Sequence, residues 1–255
     1  MVSILAEIDD KQLLLSKQST REGEAMKRIL ALTLVLVFGF ASGVSAQGSE
    51  QALLDVMQKT YAEMTSMRCE FEQTLVHRES GSKTTRPGVL QFKKPLLVHW
   101  EVTGKDHEIL VVTKSDVWNY LPDEEVAYRY NLDVIDDSNS FLKVVTGQAN
   151  LREDFEIASE GPAKAGGVNL IEYHLYPFNP TQQLTEAYLW LEPGTGVIKR
   201  VRIYDFFGNE NDITFKTNDL KANLADKLFA FSPLQGVDVE DHFDTDAVPE
   251  STLFQ

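Results

Sequence analysis

The chain has 255 residues, of which 43% are hydrophobic and 25% charged, and its formal net charge is −15. This composition is typical of a folded protein and excludes global disorder. The length allows one or two domains. The strong negative charge argues against nucleic acid or an anionic membrane surface as a partner.

Residues 26–46 have the three-part pattern of a secretory signal peptide. A short basic start precedes the apolar run 29–40, and small residues then lead to Ala46. The apolar run is too short for a permanent membrane-spanning helix, and the order of the three parts is that of a cleaved signal. The sequence therefore predicts export, with cleavage after Ala46.

This signal peptide sets the expected domain organisation. Residues 47–255 are predicted to form a single domain. Because a signal peptide normally begins near the N-terminus, we expect residues 1–25 to be a doubtful upstream extension and Met26 to be the start. Cys69 is the one cysteine, so no internal disulfide is expected. The cleavage point has no cysteine to carry a lipid, so no lipid anchor is expected there.

The first element after the cleavage point is predicted to be an amphipathic helix over 49–67. Ser49 is a suitable N-cap. The helix carries one apolar stripe at helical spacing, formed by Leu53, Leu54, Met57, Tyr61 and Met64.

From residue 68 the hydrophobic period changes to two, which predicts strands. Cys69, Phe71, Gln73 and Leu75 share one face of the first strand, and a polar turn joins it to a second strand over 88–93. Further strands are predicted over 96–103, 107–113, 116–121, 125–130, 154–159, 168–176, 184–192, 196–206 and 211–218. Many short strands separated by turns predict an antiparallel sheet, sandwich or barrel.

One short helix is predicted to interrupt these strands. The polar residues 136–140 can cap it, Gly147 can end it, and Phe141, Leu142 and Val145 lie on one face. The pattern is equally compatible with a helix that covers an apolar site and with a connecting helix that plugs the end of a barrel.

No motif for catalysis, metal binding or cofactor binding occurs in the sequence. The five histidines lack metal-binding spacing, and no phosphate loop or marked serine or cysteine nucleophile is present. We therefore expect a protein that is not an enzyme and has no metal and no cofactor. Its three Trp, eight Tyr and fourteen Phe residues could either enclose an apolar cavity or fill a core.

Several segments, in order, resemble motifs of the outer-membrane lipoprotein carrier family, LolA. FKKPLLVHWE at 92–101 is similar to the family's V-K-R-P-x-x-F-x-W. Weaker matches lie at Ser66–Gln73, at Ile109–Val111 with Val117–Pro122, at Ser140–Leu142, where the family has its lid helix, and at Phe229–Val237. Each is unspecific alone, but their order and spacing hold from about residue 50 to 240.

This resemblance implies a fold and a function. The fold would be mainly β: an unclosed, strongly curved antiparallel β-barrel with an N-terminal helix and a short lid helix over an apolar cavity. The function would be that of a periplasmic chaperone that shields the acyl chains of lipoproteins. The implied partners are acylated lipoproteins, an inner-membrane lipoprotein-releasing ABC transporter (LolCDE-like) and an outer-membrane acceptor (LolB-like). The acceptor carries a cysteine at its cleavage site, whereas Ala46-Gln47 stands here, so a carrier, expected to be monomeric, is favoured.

Strand parity selects the residues expected to line the acyl cavity: Leu90, Phe92, Val98, Trp100, Val111 and Trp118, with Phe141, Leu142 and Val145 from the lid helix. Pro95 permits a bend, after which the alternation of inward-facing and outward-facing side chains starts again. The family arginine that holds the lid closed falls at Lys94, which is therefore the expected lid latch. Lysine lacks the planar donor fork of arginine, so its hold on lid carbonyls should be looser.

Two other functions stay open at this stage. A protein of the same fold could bind another lipid or sense mislocalised lipoproteins, although sensing would normally need an extra domain. A periplasmic hydrolase would need a nucleophile or a metal site that no motif supplies.

Overall fold

A computed structural model describes residues 47–136, 141–165 and 167–243 of the chain. The predicted upstream extension and signal peptide lie outside these described residues, as do residues 137–140 before the predicted lid helix. The chain divides into two units, Met1–Ser49 and Glu50–Gln255, and the sheet lies in the second. In the described part of the chain, every helix is too short or too polar to cross a membrane.

One long helix and a twelve-stranded sheet make up most of the described chain. Helix α1 spans Gln47–Glu63. The strands are β1 (Ser66–Val76), β2 (Lys83–Lys93), β3 (Leu97–Val102), β4 (Glu108–Val112), β5 (Asp116–Leu121), β6 (Val126–Asn131), β7 (Phe155–Ala165), β8 (Val168–Pro177), β9 (Glu186–Leu191), β10 (Ile198–Tyr204), β11 (Glu210–Phe215) and β12 (Asp238–Asp241). Three short helices connect β6 to β7, namely α2 (Asp133–Asp136), α3 (Phe141–Val145) and α4 (Leu151–Asp154).

The strands form one sheet in the order β12-β6-β5-β4-β3-β2-β1-β11-β10-β9-β8-β7. Neighbouring strands are antiparallel, except that β12 runs parallel to β6. Strands β12 and β7 are the two edges, so the sheet is unclosed. Because β1 to β11 all contribute to one buried apolar cluster, the sheet must curve around it. The predicted fold, an unclosed and curved antiparallel β-barrel, is confirmed.

Alternation along β1 shows why the sheet has a dry face. Cys69, Phe71 and Gln73 are buried, whereas Glu70 and Glu72 between them are exposed. Successive side chains of a strand point to opposite faces, so the apolar set lies together on the concave side. The face predicted for this strand is confirmed.

The predicted elements are found, but several bounds differ and two short helices, α2 and α4, were not predicted. Strand β2, for example, begins at Lys83 rather than at residue 88. Helix α1 ends at Glu63 rather than at residue 67, because β1 already begins at Ser66. Strand β7 continues to Ala165, beyond the predicted end at residue 159. The four-residue β12 was not predicted, since its polar sequence DVED has no apolar alternation.

Two apolar clusters lie on opposite sides of the sheet. The interior cluster consists of the buried apolar residues that face inward from β1–β11, α1, α3 and the adjoining turns. Its largest fully buried members are Tyr61, Phe92, Trp100, Tyr130, Phe155 and Tyr173. The outer cluster consists of Val111, Trp118 and Ala127, with Ile109, Tyr120, Phe231 and Val237 packed against them. The segment after β11 thus covers the outer face of β4–β6.

Candidate functional site

The β2–β3 hairpin supplies the centre of the interior cluster. Leu90 lies directly opposite Trp100, and Phe92 lies directly opposite Val98. All four side chains are at most 1% exposed. The turn at Pro95 thus puts residues from both sides of it on one face, and the structure brings together these four of the predicted cavity-lining residues.

Helix α3 covers this part of the interior. Phe141, Leu142 and Val145 are buried in the interior cluster, and the ring of Phe141 meets Trp100 edge-on with 5.8 Å between centroids. The turn after the helix packs against α1, because a Cβ on Gly147 would come within 2.3 Å of the Tyr61 ring. The three residues predicted on the lid helix therefore join the four from the hairpin.

The predictions for Val111 and Trp118 are corrected by the strand register. Val111 lies opposite His99 and next to Trp118, so both face outward and belong to the outer cluster. Leu110 and Val112, opposite Trp100 and Val98, take the inward positions instead. Residues 109–112 are all apolar, so their alternation could not show which two face inward; only the length of the β3–β4 turn decides it.

Helix α1 lies against the β9–β10 turn. A Cβ on Gly196 would come within 2.4 Å of the backbone nitrogen of Met57, so the turn and the helix are in close contact. The Ile198 backbone N–H donates a hydrogen bond of 3.1 Å to the hydroxyl oxygen of Tyr61, in a buried position. Burial raises the pKa of the Tyr61 hydroxyl, and the hydroxyl stays neutral.

Polar contacts at the rim hold α1 over the interior. Thr60 Oγ1 donates to the Thr195 carbonyl at 2.8 Å. Gln58 Nε2 donates to Asn150 Oδ1 at 2.9 Å, in the turn before α4. Arg152 of α4 forms an ion pair with Asp55 at 2.9 Å. These contacts lie at least partly in solvent, so each contributes modestly to stability.

Lys94 holds the C-terminal end of α1. Its Nζ donates to the Ala62 carbonyl at 2.6 Å, and its backbone N–H donates to the Thr65 carbonyl at 2.9 Å. The sequence led us to expect contact with carbonyls of the helix at 141–145. In the described residues the recorded side-chain contact is with α1 instead, so any latch at Lys94 acts on the N-terminal helix.

A largely buried polar cluster closes the interior at the other end. This polar floor consists of the buried Gln73, Arg86 and Glu108 and the half-buried Asn211. Arg86 donates to Gln73 Oε1 and to Glu108 Oε2, both at 2.8 Å, and Gln73 donates to Asn211 Oδ1 at 3.0 Å. Arg86 and Glu108 are only 5% and 4% exposed. The sequence prediction missed this pair, because charged residues on strands are usually solvent-facing.

The family profile of "Outer membrane lipoprotein carrier protein LolA" matches residues 62–232, which is most of the described sheet. The chain belongs to the LolA family. The resemblance found in the sequence motifs is thereby confirmed. The family is named for a carrier role and not for a catalysed reaction, so its name supports lipoprotein carriage at the level of the family.

Individual relatives of the LolA family are distant. The outer-membrane lipoprotein carrier protein of Serratia proteamaculans is 24% identical over 216 residues, covering 85% of this chain and 98% of the relative. That of Vibrio parahaemolyticus is 23% identical over 208 residues, covering 82% and 93%. Among solved structures, an uncharacterized conserved protein from Thermus thermophilus is similar, with a TM-score of 0.48 and 13% identity, and covers 75% of this chain and 98% of its own. A LolA superfamily protein from Nitrosomonas europaea has a TM-score of 0.40 and 10% identity, with 72% and 98% covered.

Cys69 contributes to this LolA-type interior as an apolar group. It is fully buried, and its Sγ lies 3.3 Å from Asn218 Oδ1. Burial, with a smaller contribution from the nearby Asp219, raises the pKa of the thiol to about 12. A nucleophilic cysteine needs the thiolate, so the neutral Cys69 acts as a small packed side chain.

Proposed function

We propose that this LolA-family protein is a periplasmic carrier that binds the acyl chains of lipoproteins in the space now filled by the interior cluster. The observation that carries this proposal is a continuous apolar interior, covered by α1 and α3, in a chain of the lipoprotein carrier family. An acyl chain in water is disfavoured by about 0.8 kcal/mol for each methylene that burial would remove from contact with water.

Binding requires that the helices move away from the sheet. The central residues Phe92, Val98 and Trp100 are at most 1% exposed, so solvent and ligand reach them only in an opened form. The three rim contacts of α1, the hydrogen bond between Ile198 and Tyr61, and the bond at Lys94 are five polar interactions worth about 1 kcal/mol each. Burial of about six methylenes of an acyl chain would offset the loss of these polar interactions. Opening also separates the apolar faces of α1 and α3 from the sheet, and an acyl chain that enters would replace these contacts.

Photo-crosslinking tests the proposed site. A photoreactive residue at Val98, in the interior, is expected to trap acylated lipoproteins during export. Val111 is the matched control: it is also a buried valine, on the neighbouring strand, but it faces the outer cluster. Glu125, exposed in the β5–β6 turn, is a second control. Equal trapping at Val98 and Val111 would contradict an acyl site in the interior.

The identity of the trapped molecule separates carriage of lipoproteins from binding of another lipid. Mass spectrometry of the Val98 adduct is expected to give acylated cysteine peptides. Adducts of free phospholipid or fatty acid alone would favour a lipid-binding protein of the same fold instead.

The proposed route begins at a LolCDE-like transporter of the inner membrane and ends at a LolB-like acceptor of the outer membrane. It is tested by adding the purified protein to spheroplasts and measuring the release of newly made lipoproteins into the medium. Release should depend on the added protein and on the transporter. Retention of the lipoproteins in the membrane at every protein concentration would reject this route.

A further inference from the structure

The polar floor is unusual because it combines charge, burial and an inward orientation. Gln73 lies on the same face of β1 as Phe71, Arg86 lies directly opposite Gln73, and Glu108 lies directly opposite the interior residue Val102. Both charged side chains are 6% exposed. The ion pair therefore lies in the space enclosed by the sheet and not on its outer face.

The floor lies at the opposite end of the interior from the end of α1. Along β2, Phe92 is next to the turn that carries Lys94, whereas Arg86 is six residues earlier. Six residues of a strand span about 20 Å. The acyl region of one membrane leaflet is about 15 Å thick, half of the hydrocarbon core. The apolar stretch between Phe92 and Arg86 is thus comparable in length to a membrane acyl chain.

We propose that the Arg86–Glu108 pair is a depth stop that limits the length of acyl chain the protein accepts. The inference rests on the proposed function, since it concerns acyl chains in the same interior. Chains enter from the side covered by α1 and α3, extend along the concave face, and end at the floor. The ligand class selected is an acylated peptide whose chains are no longer than this apolar stretch.

The floor can act as a stop because its two charges are paired with each other and cannot easily be displaced. Breaking a buried ion pair leaves an uncompensated charge, and this penalty is several times the gain from burying one methylene. The hydrogen bonds from Arg86 to Gln73 and from Gln73 to Asn211 hold the guanidinium in place. A chain that is too long must therefore leave its last methylenes in water or stay outside.

The test is a chain-length series of synthetic acylated peptides, lengthened two carbons at a time and measured by calorimetry. For the wild-type protein, affinity is expected to rise by about fourfold per methylene and then to level off. The double variant Arg86→Met/Glu108→Leu replaces the pair with apolar side chains, a change that folded proteins often tolerate. Its affinity should continue to rise for chains beyond the wild-type limit.

Arg129→Met/Asp116→Leu is the matched control. This ion pair, with 3.0 Å between Arg129 and Asp116, is less buried than the Arg86–Glu108 pair and lies on the outer face beside Trp118. The affinity of this control variant should level off at the same chain length as that of the wild-type protein. A wild-type series without a limit, or the same limit in all three proteins, would overturn the depth stop while leaving acyl binding intact. Absence of binding by the folded wild-type protein at every chain length would overturn both proposals.

Discussion

Lys94 Nζ donates a hydrogen bond to the carbonyl oxygen of Ala62, so a residue at the β2–β3 turn holds the last turn of helix α1. The last carbonyls of a helix lack partners within the helix, and a cation beside them is favourable. The contact joins the two parts that must separate if the interior is to open, namely the hairpin that carries Trp100 and the helix that covers it.

Replacing Lys94 is expected to loosen α1 without unfolding the sheet. Lys94→Met should lower the free energy of unfolding by about 0.5–1 kcal/mol. It should also speed hydrogen–deuterium exchange in the last turn of α1. Lys59→Met is the control, because Lys59 lies on the same helix in an exposed pair with Glu63. Equal exchange in the two variants would remove Lys94 as a contact that controls opening.

Two glycines of the β9–β10 turn provide a test of how closely α1 packs. Gly194 and Gly196 both have positive φ, at 83° and 65°, but only a Cβ on Gly196 would collide with Met57. Gly194→Ala should lower stability by about 1–2 kcal/mol, the penalty for a left-handed residue. Gly196→Ala should lower it further and expose α1 to exchange, as judged by urea unfolding and mass spectrometry. Similar losses of stability in the two variants would mean that α1 can shift away from the added Cβ at little cost.

His99 should make the protein less stable in mild acid. Burial on the outer face of β3 lowers the pKa of His99, and the attraction of Glu101 only partly offsets this. The unfolded chain therefore takes up a proton near the ordinary pKa of 6.5, before the folded chain does. The stability contributed by neutral His99 is present above that pH and is lost as the pH falls toward the folded pKa.

The pH dependence can be measured by urea unfolding at about pH 7.5 and about pH 5.5, on either side of the ordinary histidine pKa. His99→Gln should lose less stability than the wild-type protein between these two values. His77→Gln, at an exposed turn position, is the control for removing a histidine from the chain. If His99→Gln and the wild-type protein lose the same stability between the two pH values, other groups cause the acid sensitivity.

Tryptophan fluorescence should distinguish the two faces of the sheet. An acylated peptide is expected to change the emission of Trp100 in the interior cluster and not that of Trp118 in the outer cluster. Trp100→Phe should therefore abolish most of the ligand-induced change, and Trp118→Phe should retain it. Each substitution should lower stability by about 1–3 kcal/mol, so both variants stay comparable. Loss of the signal only in Trp118→Phe would place the ligand on the outer face.

Much of the fold could be predicted because it depends on local pattern. Alternation along Cys69, Phe71 and Gln73 identifies both the strand and its dry face, and the Pro95 turn pairs Phe92 with Val98. These signals need only a few neighbouring residues. The prediction of short strands was therefore confirmed, and the hairpin residues do face inward; that they line an acyl cavity stays a prediction.

The remaining parts of the candidate site depend on register and distant contacts. Val111 was assigned to the wrong face because all its neighbours on β4 are apolar or buried, so that the turn length alone decides. The partner of Lys94 was assigned to α3, although Ala62 lies 32 residues away in α1. Arg86 and Glu108 are 22 residues apart, and nothing in their local sequence shows that they meet in a dry interior.

The two edge strands affect how such a carrier behaves when many copies are crowded together. Strand β7 contains an irregularity between Ile157 and Ser159 and also Pro162, which has no N–H to offer a neighbouring strand. Strand β12 is four residues long, each of which is exposed, and has three carboxylates in its sequence DVED. Edges of this kind are poor templates for pairing with another sheet. If the interior opens as proposed, these edges would keep copies of the protein from growing into filaments through their own strands.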